Sequence, residues 1–216
     1  MGRTIKVNCT TTDCIHYNTC CRIPTETYFD EDDGVKIVVV GQGAGWQEEK
    51  NERPWIGKAG QLLRDVFKSV MKDKKKVGIA LTNTVRCRPS EPVNNSSWKK
   101  KDREPTTLEV KTCNKYLIRD LNELKPEIVI LAGGSAARAF GYTGTVHSLR
   151  GTTDTKQLNG TNFITTVIVT YHPAGVLRKE ELGTDLRLDI EMAYNYSIIR
   201  GLKLPPPTNE QLTMEL

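Results

Sequence analysis

The sequence predicts an α/β fold: three layers, α/β/α, around a central, mostly parallel four-stranded sheet. Three observations carry this expectation. Short runs of β-branched residues alternate with stretches of helical period. The strand ends carry glycine, Asn or His-Pro. The length, 216 residues, suffices for one buried core and falls short of an ordinary eight-fold α/β barrel.

Residues 1–34 are polar and cysteine-rich, and end in Asp30-Glu31-Asp32-Asp33-Gly34, which reads as a solvated turn. Val35 to Val40 is almost continuously β-branched, as a strand covered on both faces should be. Gly41 to Gly45 breaks it with three glycines. From Gly57 to Met71, Leu62, Leu63, Val66, Phe67 and Val70 recur at helical spacing. A short strand follows near Val77–Leu81, and 88–107 reads as a polar loop with Pro89, Pro92, Pro105 and the run Lys99-Lys100-Lys101. A second helix spans about Thr107 to Leu124, with Cys113 one turn before Leu117 on its apolar face. Glu127 to Ala132 is a third strand, and Gly133-Gly134-Ser135 opens another helix. Phe163 to Val169 is a fourth strand, and Leu186 to Leu202 a final helix. The whole, 1–216, is expected to be a single domain, with a cysteine-rich segment at 1–34 and a tail at 203–216 after Pro205-Pro206-Pro207.

Composition narrows the function classes. Lys plus Arg is 31 against 26 for Asp plus Glu, a net charge of +5. That mild basic excess permits a polyanionic partner. No apolar run approaches a membrane span, and the start has no apolar core for a signal peptide. A cytoplasmic protein, of a prokaryotic or phage-infected cell, is expected. In that compartment the six cysteines do not read as a disulfide framework. Cys9, Cys14, Cys20 and Cys21 crowd the N-terminal segment, while Cys87 and Cys113 lie far downstream. Such an arrangement suits a thiolate-ligated metal or iron–sulfur site tying a terminus to the body, with zinc and iron–sulfur equally open on chemistry alone.

Ligands of parallel sheets bind beyond the carboxyl ends of the strands. Gly41-Gln42-Gly43-Ala44-Gly45, Asn83, Gly133-Gly134-Ser135 and His172-Pro173 follow the four strands, so they should form one cleft. The glycine turn alone is neither a dinucleotide fingerprint nor a P-loop. With the rest it resembles the uracil-DNA glycosylase superfamily, most closely the family 4 type with an iron–sulfur cluster. The resemblance runs to about Arg178 and rests on an ordered set of motifs. These are Gly41 to Gly45; Arg53-Pro54-Trp55-Ile56-Gly57-Lys58-Ala59-Gly60-Gln61-Leu62-Leu63; Thr82-Asn83-Thr84-Val85-Arg86-Cys87-Arg88-Pro89; Cys113 to Leu117; Leu131 to Ala137; Leu149-Arg150-Gly151; and His172-Pro173-Ala174-Gly175-Val176-Leu177-Arg178.

The resemblance implies a glycosylase that flips uracil, or a related modified pyrimidine, out of single- or double-stranded DNA. Trp55 then stands where the family stacks a Phe on the base, although a lone Trp is otherwise a core aromatic. Asn83 presents an acceptor and donors that suit the O4/N3 edge of uracil. His172, as a neutral imidazole, would donate to the developing O2 charge. Gly41 and Gly43 would let main chain approach the substrate closely. Ser135 and Arg178 would hold phosphate, and Leu177 would fill the gap left by the base. Two departures stand out. The family's acidic residue is Gln42 here, which orients a water but cannot take its proton, and Gly43 supplies no acid either. Glu48 is the remaining candidate base, set against a plain surface carboxylate. A catalytically weak or inactive DNA-binding accessory, with a replication or repair protein as its partner, is therefore the alternative expectation. The resemblance turns the thiol site into a [4Fe-4S] cluster on Cys14, Cys20, Cys87 and Cys113, with Cys9 or Cys21 as alternatives to Cys20 and zinc as the alternative metal. A monomer is expected.

Overall fold

The computed structural model describes residues 3–10, 12, 14–16, 22–28, 34–93 and 96–201. Cys20, Cys21 and the expected tail at 203–216 lie outside the described residues. The chain forms β1 (Thr4–Ile5), β2 (Thr25–Tyr28), β3 (Val35–Gly41), α1 (Trp46–Asn51), α2 (Lys58–Val70), β4 (Gly78–Asn83), β5 (Ser90–Val93) and β6 (Ser96–Asp102). There follow α3 (Thr107–Leu124), β7 (Ile128–Ala132), α4 (Gly134–Ala139), α5 (Val146–Leu149), β8 (Asp154–Gln157), β9 (Ile164–Thr170), α6 (Pro173–Val176) and α7 (Gly183–Gly201).

The main sheet has seven strands in the order β1-β2-β4-β3-β7-β9-β8. Its centre, β4-β3-β7-β9, is parallel and is the expected four-stranded sheet. The edges extend it with antiparallel strands of two to four residues, too short and too polar to carry a pattern of their own. Side chains of β3 alternate between two cores. Ile37 and Val39 pack with Leu63, Phe67 and Val70 of α2 and Leu186 and Ile190 of α7. Val38 and Val40 pack with Leu117 and Leu121 of α3 and Ala136 and Ala137 of α4. The three layers follow from that alternation.

The stretch 88–107, expected to be a loop, instead contains the β5–β6 hairpin. Its pattern is masked by Pro92 at the strand and by a β6 of Ser, Lys and Asp residues with one Trp. Helix α3 begins with a capping box, Thr106 accepting from the Glu109 amide and Glu109 from the Thr106 amide. The N-terminal segment runs along α3. The Thr10 amide donates to the Tyr116 hydroxyl at 3.0 Å, Arg119 donates to the Lys6 carbonyl at 3.0 Å, and His16 meets Glu109 at 2.5 Å.

Beneath that segment lies a buried ion pair. Arg86 Nη2 donates to Asp120 Oδ2 at 2.7 Å, and both residues are at most 2% exposed. Thr25 of β2 donates to the same carboxylate at 2.6 Å, and Arg86 Nη1 reaches Thr25 at 2.8 Å and also Thr82 of β4. Removing one member of a buried pair strands the other charge. Asp120→Ala is therefore expected to cost about 3–5 kcal/mol, read as a lowered midpoint in urea. Arg119→Ala, which removes a more exposed cation from the same carboxylate, should cost under about 1 kcal/mol. Equal losses at the two positions would contradict the burial argument.

Candidate active site

A cavity of about 660 Å³ opens at the carboxyl ends of β3, β4, β7 and β9. The segments after these strands all line it: Gln42 to Gly45, Asn83, Gly133 to Ser135, and His172. Trp55, the start of α2 and the residues Asp102, Arg103 and Glu104 complete the wall. The expected convergence of strand ends is thus realised, and parallel order is its cause, since parallel strands bring their carboxyl ends to one rim.

Three close approaches shape the cavity. Gly41 lies so near Trp55 and Asn83 that a Cβ there would stand 2.4 Å from Trp55 Cζ2 and 2.5 Å from Asn83 Oδ1. Trp55 itself adopts φ +57°, a left-handed conformation unusual for an aromatic residue. Its carbonyl enters the first turn of α2, where a Cβ on Gly60 would lie 1.6 Å from that oxygen. The indole is 4% exposed, donates from Nε1 to the Thr82 carbonyl at 2.9 Å, and stacks on His172 with ring centroids 5.3 Å apart. Asn83 closes β4 and is also buried, with its carboxamide beside Gly41 at the cavity wall.

His172 caps the N-terminus of α6: its Nδ1 accepts from the Ala174 amide at 3.1 Å. The neutral ring must then carry its proton on Nε2. Enclosure of the imidazole, helped by the Arg178 charge, lowers its pKa to about 4. At neutral pH His172 is a neutral donor at the edge of the cavity.

The carboxylate of Glu48 accepts from the Gly57 amide at 2.8 Å, so it sits against the N-terminal end of α2, where an anion is favoured. A Cβ on Gly45 would lie 2.9 Å from its other oxygen. Gln42 donates from Nε2 to the Arg103 carbonyl at 3.1 Å, which leaves its amide oxygen as an acceptor. Gly43 is packed rather than open, for a Cβ there would meet Pro89 and Val85 within 3 Å. Ser135 and Arg178 line the cavity; Leu177 is 46% exposed just outside it. The sequence reading missed Asp102, Arg103 and Glu104, which a polar loop gave no reason to place at the rim. The 88–107 segment is drawn in by Arg88, whose Nε donates to Asp102 at 2.5 Å while its Nη1 reaches Glu49 of α1 at 3.1 Å.

The thiols gather on the other side of Arg86. The Arg86 amide donates to Cys113 Sγ at 3.2 Å, and Cys87 is the next residue. Burial pushes the Cys113 thiol up, against the pull of Arg86, and the Cys9 and Cys14 sulfurs are near enough to add to the rise. Among the described residues no three His, Cys, Asp or Glu side chains are closed into a metal-sized cage. The neighbourhood is nonetheless one of sulfur donors alone, with Cys9 beside Cys14.

Comparison with known proteins agrees with the cavity. Residues 28–191 match the model of the uracil DNA glycosylase superfamily. The chain belongs to that superfamily. It is 31% identical over 169 residues to the type-4 uracil-DNA glycosylase of Pyrobaculum aerophilum, covering 77% of this chain and 80% of the relative. The type-4 uracil-DNA glycosylase of Archaeoglobus fulgidus is 29% identical over 162 residues, 72% of this chain and 74% of its own. That of Thermotoga maritima is 30% identical over 165 residues, 74% and 77% respectively. No helix among the described residues is long and apolar enough to cross a membrane. The superfamily match spans every strand end on the cavity, so its motifs are the residues brought together here.

Two outcomes follow from this geometry. Gly41→Ala should displace the indole and the Asn83 carboxamide together and lower the rate by at least about tenfold, with a stability loss of roughly 1–3 kcal/mol for overpacking. A wild-type rate in a folded Gly41→Ala protein would contradict it. Second, His172 keeps its neutral form as pH falls through 6.5, because its pKa is lowered to about 4. A single-turnover rate measured from pH 8 downward should therefore show no inflection near 6.5 that His172→Gln removes; any imidazole inflection belongs near pH 4.

Proposed function

We propose that the chain is a monofunctional DNA glycosylase. It hydrolyses the N-glycosidic bond of uracil, or a related modified pyrimidine, in DNA and leaves an abasic site. The observation that carries this reading is the pairing, in one cavity, of Asn83 with a neutral His172 whose proton is held on Nε2. The base must leave the stack to reach such a recess. Asn83 reads its O4/N3 edge by an acceptor and a donor in one plane. The indole of Trp55, rigidly hydrogen-bonded, supplies an apolar wall.

As the C1′–N1 bond breaks, electrons move to the base and a cationic sugar remains. His172 Nε2–H donates to O2 of the departing uracil anion, which a placed donor favours by roughly 3 kcal/mol. Water then adds at C1′ and loses one proton. The Gln42 carboxamide oxygen orients that water, and the Glu48 carboxylate takes the proton or steadies the cation. Arg178 and Ser135 contact phosphates, and exposed Leu177 enters the space the base vacates. The type-4 relatives in the comparison are named as uracil-DNA glycosylases, which supports the same reaction here.

The donor set beside Arg86 fits a [4Fe-4S] cluster, because it consists of thiols from two parts of the chain. Cys87, Cys113 and Cys14 would hold it with one further N-terminal thiol. Cys20 is the choice by spacing, and Cys9 the choice by neighbourhood to Cys113. Bound there, the group pins the N-terminal segment to the sheet; the hydrolysis itself needs none of its chemistry.

The second reading, a DNA-binding accessory with little activity, is favoured by one observation: Gln42 stands where an acid would take the proton, and its amide is committed to Arg103. A labelled uracil oligonucleotide, incubated with protein and cleaved by hot alkali, separates the readings. Uncut DNA in both single- and double-stranded form would sink the glycosylase. His172→Ala should slow cleavage by about 100-fold, whereas a large gain on Gln42→Glu would place the weakness in the first motif. The purified protein should be brown with about four irons per chain. A colourless protein with one zinc would overturn the cluster, and iron retained in Cys20→Ser but lost in Cys9→Ser would identify Cys9 as the fourth ligand.

A further inference from the structure

The β5–β6 hairpin is not used by the reaction. Its two strands pair with each other, Glu91 opposite Lys101 and Pro92 opposite Lys100, and neither packs broadly on any other strand or helix. A lone two-stranded hairpin is marginal in water. This one is fixed at its foot instead. Arg88 donates to the Lys100 carbonyl at 3.3 Å and pairs with Asp102 and Glu49, and the Arg103 amide bonds the Pro89 carbonyl at 3.0 Å. The foot is also part of the cavity, since Asp102 lines it.

Strand alternation places Lys100 on the same face as Asp102, two residues away, and Lys101 on the opposite face. Lys101 is paired with Glu91 at 2.9 Å. Lys100 is exposed. At about 3.4 Å per residue, it lies about 7 Å along the strand from the cavity wall, or roughly two base steps of DNA. The negative charge of Asp102 on that face is answered by Arg88 at 2.5 Å, so Lys100 dominates the face.

We propose that the hairpin is a guide for the DNA strand flanking the extruded base, with Lys100 holding a phosphate within about two nucleotides of it. The proposal rests on the glycosylase reading for the identity of the polyanion. A phosphate held there would register the strand against the cavity without touching the reacting atoms.

The test measures the affinity of the full chain for a duplex and for a single-stranded oligonucleotide, each containing the target base, over a range of salt. Lys100→Ala should flatten the log Kd against log salt line by about 0.9 on duplex and about 0.7 on single strand, a roughly threefold change in the affinity ratio to wild type between 50 and 200 mM. Lys100→Arg should restore the slope, Lys101→Ala should leave it unchanged, and excision at saturating DNA should stay at the wild-type rate in all three. A wild-type slope in Lys100→Ala would overturn the guide, as would an equal loss at Lys101. If wild-type protein bound no DNA at all, the glycosylase reading would fall and the guide with it. DNA binding and excision with an unaltered Lys100→Ala slope would sink the guide alone.

Discussion

The buried pair of Arg86 and Asp120 is the interaction on which the arrangement of the site depends. Arg86 follows the strand that ends in Asn83 and precedes Cys87, so one residue separates the base-reading side of the molecule from the thiols. Its side chain spans inward to Thr25, Thr82 and Asp120, while its own amide faces Cys113. A charge so enclosed tolerates little displacement, because its partners are oriented for it and Arg86 Nε already lacks one. The carbonyl of Thr82 receives the Trp55 indole, so the position of the aromatic wall is tied to the same residue. Whatever holds the thiols together therefore bears on the cavity through a short, rigid path of neighbouring side chains.

The glycines of the cavity act by the space they leave. Gly41 admits the indole and the Asn83 carboxamide, Gly60 admits the Trp55 carbonyl, and Gly133, at φ +92°, lies against His172. Each removes one Cβ that would hold apart two groups of the site. This explains why motifs that are weak one at a time are specific as a set. A glycine beside a strand end is common, but here three of them fit around the same two rings.

Much of this was legible in the sequence, and the reason is burial. β3, β4, β7 and β9 are covered on both faces, so they appear as β-branched runs that end in small or polar residues. Parallel order then sends Asn83, His172 and the glycine turns to one rim. The edge strands were not legible, because two to four polar residues carry no period. Nor was the β5–β6 hairpin, whose strands are set by backbone pairing and by Arg88 rather than by a hydrophobic face. The left-handed φ of Trp55 also has no local signal, since it is imposed by the turn into α2 and paid by Gly60 and the Thr82 bond. Cys9 was ranked below Cys20 on spacing, yet it lies near Cys113 because the N-terminal segment folds back along α3.

The chemistry left to the first motif is small in this arrangement. When a glycosidic bond opens before water is committed, the barrier is lowered chiefly by stabilising the leaving anion, and His172 and Asn83 face that side. Loss of an acid at Gln42 affects the later, easier capture of the sugar cation, where a water needs orientation more than a strong base. The commitment of Gln42 Nε2 to Arg103 fixes which way its oxygen can face, and Glu48 is held at the start of α2 with one oxygen spent on Gly57. The two groups divide between them what a single carboxylate does in the family motif: one positions the water, and the other bears the charge. A site so divided loses speed before it loses the reaction, because the half that makes the anion leave is intact.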